Sequence, residues 1–172
     1  MSYKKTLQLG DLTINRIGFG AMRITSKDNS GMPDDPQNSL DVLKRAVELG
    51  VNFIDTADQY GMFASEQLIA EALYPYKNNP VIATKGGLVR FGPSGTSVRH
   101  INNDATPQHL HDAINGSLGR LKLDSIDLYQ LHRIDPNVPA DITFAFLKQA
   151  QNEYRIRHIG LSEVSVEEIK QA

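Results

Sequence analysis

The chain has 172 residues, 18 Lys+Arg against 20 Asp+Glu, a formal net charge of −2, 40% hydrophobic residues, and neither cysteine nor tryptophan, an ordinary globular composition. The absence of cysteine excludes a disulfide framework, a thiolate metal site and a Cys nucleophile, so a cytoplasmic location is the expectation. No run nears the ~18 apolar residues of a membrane span, Met1–Gly10 lacks the apolar core of a secretory signal, and no basic run favours nucleic acid as a partner.

In chain order, Thr6–Leu9 and Leu12–Asn15 flank Gly10-Asp11 and predict a small β-hairpin. Ile17–Gly20 is the first of five short apolar runs. The others are Val51–Asp55, Val81–Lys85, Ile126–Leu131 and Ile156–Leu161. Rich in Ile, Val, Leu and Phe and too short for helices, they predict buried parallel strands. Helical patterns lie between them. Asp35-Pro36 supplies a cap and a first-turn proline, Leu40, Leu43 and Val47 share one face, and Gly50 stops the helix. A second helix is expected near Ala64–Leu73. Gly86 to Ala105 has no clear periodicity and predicts a long loop, in which Arg90, Arg99 and His100 are candidates for selecting an anionic substrate. Thr106-Pro107 opens a third helix with Leu110, Ile114, Leu118 and Leu121 at helical spacing. A fourth is expected over Asp141–Asn152, followed by Tyr154 where a glycine stop is usual; Asn152 is the candidate left-handed residue. Ser165 to Glu168 matches a capping box, so a helix begins there.

Strand–helix alternation leaves an open doubly wound sheet or a (β/α)₈ barrel. Gly18-Phe19-Gly20-Ala21-Met22 has only part of a Gly-x-Gly-x-x-Gly spacing, which weakens a Rossmann site. The positions of the reactive residues favour the barrel. Asp55 and Lys85 close two strands, Tyr60 lies five residues beyond Asp55, and His132 follows Leu131. In a barrel those strand ends open onto one face.

Each residue alone has a plain structural alternative: Asp55 a helix cap, Tyr60 a packed amphipathic side chain, Lys85 a solvated charge, His132 a loop cap. Together they suit proton donation to a carbonyl oxygen. A free phenol has a pKa of ~10 and is a poor acid at neutral pH. An ammonium about 4 Å away at an effective dielectric of ~20 favours the phenolate by ~4 kcal/mol, up to ~3 pK units. Asp55 would keep Lys85 charged and placed, and His132 would orient the substrate oxygen. No Ser or Cys nucleophile is indicated. The five histidines, His100, His109, His111, His132 and His158, show no metal-ligand spacing.

The segment from Val51 to Gly61, with Ala83-Thr84-Lys85 and Leu131-His132-Arg133, resembles the aldo-keto reductase family. So do Asn15 to Met22 and Arg157 to Ser162. The resemblance runs from about Leu7 to Ala172. Ala72-Leu73-Tyr74-Pro75-Tyr76 and the first loop are most similar to bacterial oxidoreductases related to pyridoxal reductases. The resemblance implies a (β/α)₈ barrel transferring hydride between NADP(H) and a small carbonyl/alcohol pair. Asp55, Tyr60, Lys85 and His132 match the family's catalytic tetrad, with Tyr60 the acid. Gly20, Ala21 and Met22 match backbone beside the nicotinamide, and Ser162 matches a contact to its carboxamide. Glu163 stands where the family often has Asn.

The family's barrel has eight strands in ~250 residues, whereas five βα units are read here. The expectation is thus a single domain over residues 1–172, an incomplete barrel lacking the loops that hold the cofactor's phosphates and adenine. Its outer strands would be unpaired edges open to self-association. Two rivals to the reductase reading remain: a non-catalytic remnant or interaction module, and a Schiff-base lyase using Lys85.

Overall fold

The computed structural model describes residues 5–91 and 100–172. Two strands, β1 (Thr6–Leu9) and β2 (Leu12–Asn15), pair antiparallel as the hairpin. Five strands then form one parallel sheet: β3 (Phe19–Gly20), β4 (Phe53–Asp55), β5 (Val81–Gly86), β8 (Ile126–Leu131) and β9 (Ile156–Leu161), side by side in that order. Helices α1 (Pro36–Glu48), α2 (Ala64–Leu73), α3 (Pro107–Leu121) and α4 (Ala140–Asn152) follow β3, β4, β5 and β8, and a single 3₁₀ turn, Ala21–Ile24, precedes α1. A short α5 (Val166–Gln171) follows β9. This is the expected α/β architecture, five βα units of a (β/α)₈ barrel. Among the described residues, no helix is long and apolar enough to cross a membrane.

The helix starts follow from their caps. Asp35 accepts a hydrogen bond from the Asn38 amide and Thr106 one from the His109 amide, each with proline at the head of the helix. The Ser165 hydroxyl accepts from the Glu168 amide at 3.2 Å while the Glu168 carboxylate accepts from the Ser165 amide at 2.6 Å, so both halves of the capping box form. No residue of α5 is buried, and Val166 and Ile169 face solvent.

The buried core has two lobes. One gathers Leu40 and Leu43 of α1, Leu68 and Ile69 of α2, and Ile54 and Ile82 of the sheet. The other gathers Leu110 and Ile114 of α3, Leu147 of α4, and Ile126, Leu131 and Ile156. Both lie between sheet and helices. At the N-terminal end of the sheet the hairpin is latched on. The Asn15 amide donates to Asn52 Oδ1, the Asn52 side chain donates to the Thr13 carbonyl, and Asp11 meets Arg157 and His158.

Several boundaries differ from the sequence expectation. Of Ile17–Gly20 only Phe19–Gly20 pairs, and Ile17 is 75% exposed. Val51 and Asn52 precede β4 rather than belong to it. The long loop after β5 contains two antiparallel strands, β6 (Leu88–Phe91) and β7 (His100–Asn103). These carry few strong strand formers, so periodicity did not reveal them. The left-handed residue before β9 is Tyr154 itself (φ 60°), whereas Asn152 ends α4.

Gly86 marks where the sheet is tightest against its helices. An added Cβ would run into the Tyr129 hydroxyl and lie 3.1 Å from Ala113 Cβ. Gly86→Ala overpacks a fully buried position, and urea titration is expected to show a loss of about 1–3 kcal/mol.

Candidate active site

Residues i and i+2 of a strand share a face, and the strand register decides which face each side chain uses. Asp55 pairs with Ala83, and Lys85 pairs with Gln130, which pairs with Gly160. Lys85 and Gln130 thus form one row on the concave face, with Asp55 one row below. Thr84, Tyr129 and Ile159 form the alternate row, facing the helices.

Backbone hydrogen bonds carry this order past the strand ends. Thr56 N donates to the Ala83 carbonyl at 2.8 Å, Asp58 N to Lys85 at 3.1 Å, His132 N to Gly86 at 2.8 Å and Ser162 N to Leu131 at 3.1 Å. The loops that follow the strands therefore leave the sheet in fixed directions.

The Lys85 ammonium is the centre of the arrangement. It donates to both carboxylate oxygens of Asp55 at 2.8 and 2.7 Å, to the Thr56 carbonyl at 3.0 Å and to the Tyr60 hydroxyl at 3.2 Å. Lys85 is 5% exposed. A buried charge requires this degree of compensation. Asp55 also accepts from the Gln130 side-chain amide at 3.1 Å. The His132 ring meets the Tyr60 ring edge-on, with centroids 5.9 Å apart. Burial above all, with Lys85 and Arg133 adding positive potential, lowers the His132 imidazole to about 4, so it is neutral at pH 7. Its Nδ1 is buried with no hydrogen-bond partner among the described residues.

All four of Asp55, Tyr60, Lys85 and His132 thus come together. Gly20 sits beside Asp55 in the register, and an added Cβ there would meet nothing within 4 Å. Ala21 and Met22 begin the turn that follows. Ser162 and Glu163 lie beyond β9, where Arg133 pairs with the Glu163 carboxylate at 2.6 Å and reaches Ser162 Oγ at 3.4 Å. Of the three residues named for anion selection, Arg90 donates to the Asn29 carbonyl at 2.8 Å. Arg99 and the His100 side chain lie outside the described residues. No group of three or more metal-ligating side chains is found among the described residues.

A second buried polar cluster lies behind the sheet. Glu66, fully buried on α2, accepts from Thr84 Oγ1 at 2.6 Å and from Arg120 Nε of α3 at 2.6 Å. Asp58 is also buried, and its Oδ1 has no partner among the described residues. Burial, reinforced by Glu66, raises the Asp58 carboxyl to about 8. The Asp58 carboxyl thus keeps its proton at neutral pH, while Arg120 pairs with Glu66. A cavity of about 290 Å³ opens between Asp58, Phe63, Leu88, Ala113 and Arg120. Sequence patterns did not indicate these residues, because Glu66 and Arg120 read as ordinary helix-surface charges.

The two titrations act oppositely on stability. The folded His132 resists a proton that the unfolded chain accepts, so its contribution falls as pH drops from about 6.5 to 4. The folded Asp58 keeps a proton that the unfolded chain releases above about 4, so its contribution falls as pH rises towards 8. Above about pH 7 the unfolded histidine is mostly neutral and Asp58 dominates. Stability should decline between pH 7 and 8.5 in the parent chain, with a slope of at most about 1 kcal/mol per pH unit. Asp58→Asn should flatten that decline in denaturant titrations across the range.

The chain is similar to known proteins over nearly all of its length. The model of the aldo/keto reductase family matches residues 16–172. An uncharacterised oxidoreductase of Schizosaccharomyces pombe is 48% identical over 167 residues, covering 97% of this chain and 53% of that protein. Pyridoxine 4-dehydrogenase of Escherichia coli is 35% identical over 173 residues, covering 97% of this chain and 59% of that protein. Among solved structures, a glycerol dehydrogenase from Gluconobacter oxydans superposes with a TM-score of 0.87 at 29% identity, over 96% of this chain and 50% of that one. The holo form of an aldo-keto reductase from Bacillus halodurans superposes with a TM-score of 0.80 at 32% identity, over 98% and 53%. The chain spans about half the length of the relatives it matches. With its parallel sheet, its strand-end residues and a family match over nearly all of its length, the chain belongs to the aldo/keto reductase family.

Proposed function

We propose that the chain carries the proton-donating centre of an NADPH-dependent reductase that converts a small aldehyde or ketone into an alcohol. The observation that carries the reading is the Lys85 ammonium, 3.2 Å from the Tyr60 hydroxyl and doubly paired with Asp55. A phenol hydroxyl within hydrogen-bond reach of a fixed ammonium is placed to give its proton to a substrate oxygen. The Tyr60 O–H bond breaks as a new O–H bond forms on the carbonyl oxygen, and the ammonium stabilises the phenolate left behind. Asp55 and the Thr56 carbonyl hold the Lys85 side chain in place. His132, neutral and beside Tyr60, donates a hydrogen bond to the same oxygen without adding a second positive charge.

When bound, NADPH supplies the hydride that completes the reduction. The residues present fit its nicotinamide end. The open space beside Gly20 lets a planar ring approach the backbone of Gly20, Ala21 and Met22. Ser162 offers a donor and acceptor to a carboxamide, and the ionised Glu163 offers an acceptor for its NH₂. Support for this assignment comes from the oxidoreductases among the relatives and from the holo form of the Bacillus halodurans enzyme. The names of the pyridoxine and glycerol dehydrogenases favour a small hydroxylated substrate. The Schiff-base alternative fits less well, because it needs a neutral, unencumbered amine, whereas Lys85 is engaged by four acceptor atoms. The remnant alternative leaves the buried ion pair without a use.

Most of the affinity for NADPH should come from charge-assisted contacts to its phosphates. Losing two or three of these at ~1.5–3 kcal/mol each would weaken binding by roughly two to six orders of magnitude. The 172-residue chain alone should therefore bind NADPH in the millimolar range or beyond in a fluorescence titration. Micromolar binding would show that this span already completes the cofactor site. Joined to the C-terminal part of the Schizosaccharomyces pombe relative, the chain should bind NADPH and reduce small aldehydes. In that protein Tyr60→Phe should lower kcat by at least about 10²-fold and leave NADPH affinity within about 2-fold. Reduction that survives Tyr60→Phe would overturn the reading. The edges of β3 and β9 should also promote self-association of the isolated chain, visible by sedimentation.

A further inference from the structure

Tyr60 and Lys85 are held on one side by their contacts with each other and with Asp55. On the other side, the segments that carry them both lead back to Arg120. The first path runs through the strand. Arg120 Nε donates to Glu66 Oε2 at 2.6 Å, and Glu66 Oε1 accepts from Thr84 Oγ1 at 2.6 Å. Thr84 immediately precedes Lys85 on β5, facing the helices while Lys85 faces the concave side. The second path runs through the loop. The Arg120 guanidinium lies 4.2 Å from the centroid of the Phe63 ring. Phe63 is the last of three consecutive left-handed residues, Gly61, Met62 and Phe63, at φ 60°, 48° and 79°. That run starts directly after Tyr60 and ends at the first turn of α2. Left-handed backbone is unfavourable for bulky side chains, so a segment of this kind persists only where its surroundings fix it.

Arg120 can reach both partners because of Gly116. A Cβ at that position would lie 2.6 Å from Arg120 Nη1. The missing side chain leaves a notch in which the guanidinium folds back along its own helix. A glycine inside a helix is otherwise unfavourable, and the notch supplies its reason here. The Glu66 side chain is 0% exposed and that of Arg120 19%, so neither is a freely solvated surface residue.

We propose that Arg120 is a positioning residue for the Tyr60–Lys85 pair, holding Lys85 through Glu66 and Thr84 and holding the Tyr60 loop through the face of Phe63. The inference rests on the reductase reading only for its consequence in catalysis; the mechanical claim concerns the two side chains themselves. The two paths separate by mutation. Glu66→Gln weakens the strand path, Phe63→Leu removes the aromatic face of the loop path, and Arg120→Leu removes both.

The test uses the full 172-residue chain and two chemical probes read by mass spectrometry. Trace acetylation reports on Lys85, with the solvent-facing Lys44 and Lys148 as internal references. Nitration by tetranitromethane reports on Tyr60, with Tyr154, 85% exposed, as its reference. Glu66→Gln should raise Lys85 acetylation at least about 5-fold relative to the reference lysines and change Tyr60 nitration less than 2-fold. Phe63→Leu should do the reverse. Arg120→Leu should raise both, and Arg120→Lys, which keeps a charge beside Glu66 but lacks the planar group that covers Phe63, should restore Lys85 protection and leave Tyr60 nitration raised.

A role confined to general stability would instead raise labelling at all buried sites in parallel with the fall in unfolding free energy, and that result would overturn the proposal. So would folded variants with unchanged labelling at Lys85 and Tyr60. Should Arg120→Leu fail to fold, the opposite responses of Glu66→Gln and Phe63→Leu still decide. The labelling pattern does not depend on NADPH or on turnover, so it separates this inference from the reductase reading: Tyr60→Phe tests the chemistry and the probes test the support.

Discussion

The interaction on which the rest of this structure depends is the buried ammonium of Lys85. An uncompensated charge at 5% exposure would be strongly destabilising, and several partners are needed to offset its lost hydration. The fold provides them from separate places: the Asp55 carboxylate from the neighbouring strand, the Thr56 carbonyl from the chain just past it, and the Tyr60 hydroxyl from the loop beyond. Because β4 and β5 are hydrogen-bonded neighbours, all three arrive within a few residues of sequence. The order in which the chain presents these groups follows from the geometry of a parallel sheet, in which consecutive strands end on the same side.

The concave face and the helix-facing layer use the same alternation of side chains. Lys85 and Gln130 point one way, whereas Thr84 and Tyr129 point the other. On β5 the residue just before Lys85 is Thr84, which puts a polar anchor on the opposite face. Here the anchor meets Glu66, and Glu66 in turn requires Arg120. The cluster contains one more acid than this cation can neutralise, and Asp58 keeps a proton up to about 8.

Much of this was legible in the chain itself. The five apolar runs marked the sheet because buried parallel strands need continuous apolar character, and Asp55, Lys85 and His132 stood out as polar residues at the ends of such runs. Tyr60 was legible only through its spacing from Asp55. The strand pair β6 and β7 was missed because Leu88–Phe91 and His100–Asn103 mix polar and apolar residues without a clean alternation. Tyr154 was misjudged because a left-handed tyrosine contradicts local preference, and Tyr154 is 85% exposed, so burial does not explain it. Gln130 could have been noticed as a polar residue inside Ile126–Leu131. Glu66 and Arg120 could not, since an acid and a base on two helices look like solvated charges until the helices are packed side by side. Gly116 and Gly119, both inside α3 beside Arg120, were the local irregularities nearest to them.

On the proposed reductase reading, the ranges of the forces involved divide the work between this span and other loops. Proton transfer from a phenol to a substrate oxygen works only over hydrogen-bond distances, so its groups must come from adjacent strands and be braced from behind. Recognition of a long dinucleotide is tolerant of distance, because its phosphates and adenine lie far from the reacting carbon and can be gripped by loops on strands remote from Tyr60. The four clustered side chains come from β4, β5 and the loops just after β4 and β8, and these three strands are consecutive neighbours in the parallel sheet. In a chain spanning about half the length of its relatives, Asp55, Tyr60 and Lys85 are joined by hydrogen bonds and His132 meets the Tyr60 ring edge-on.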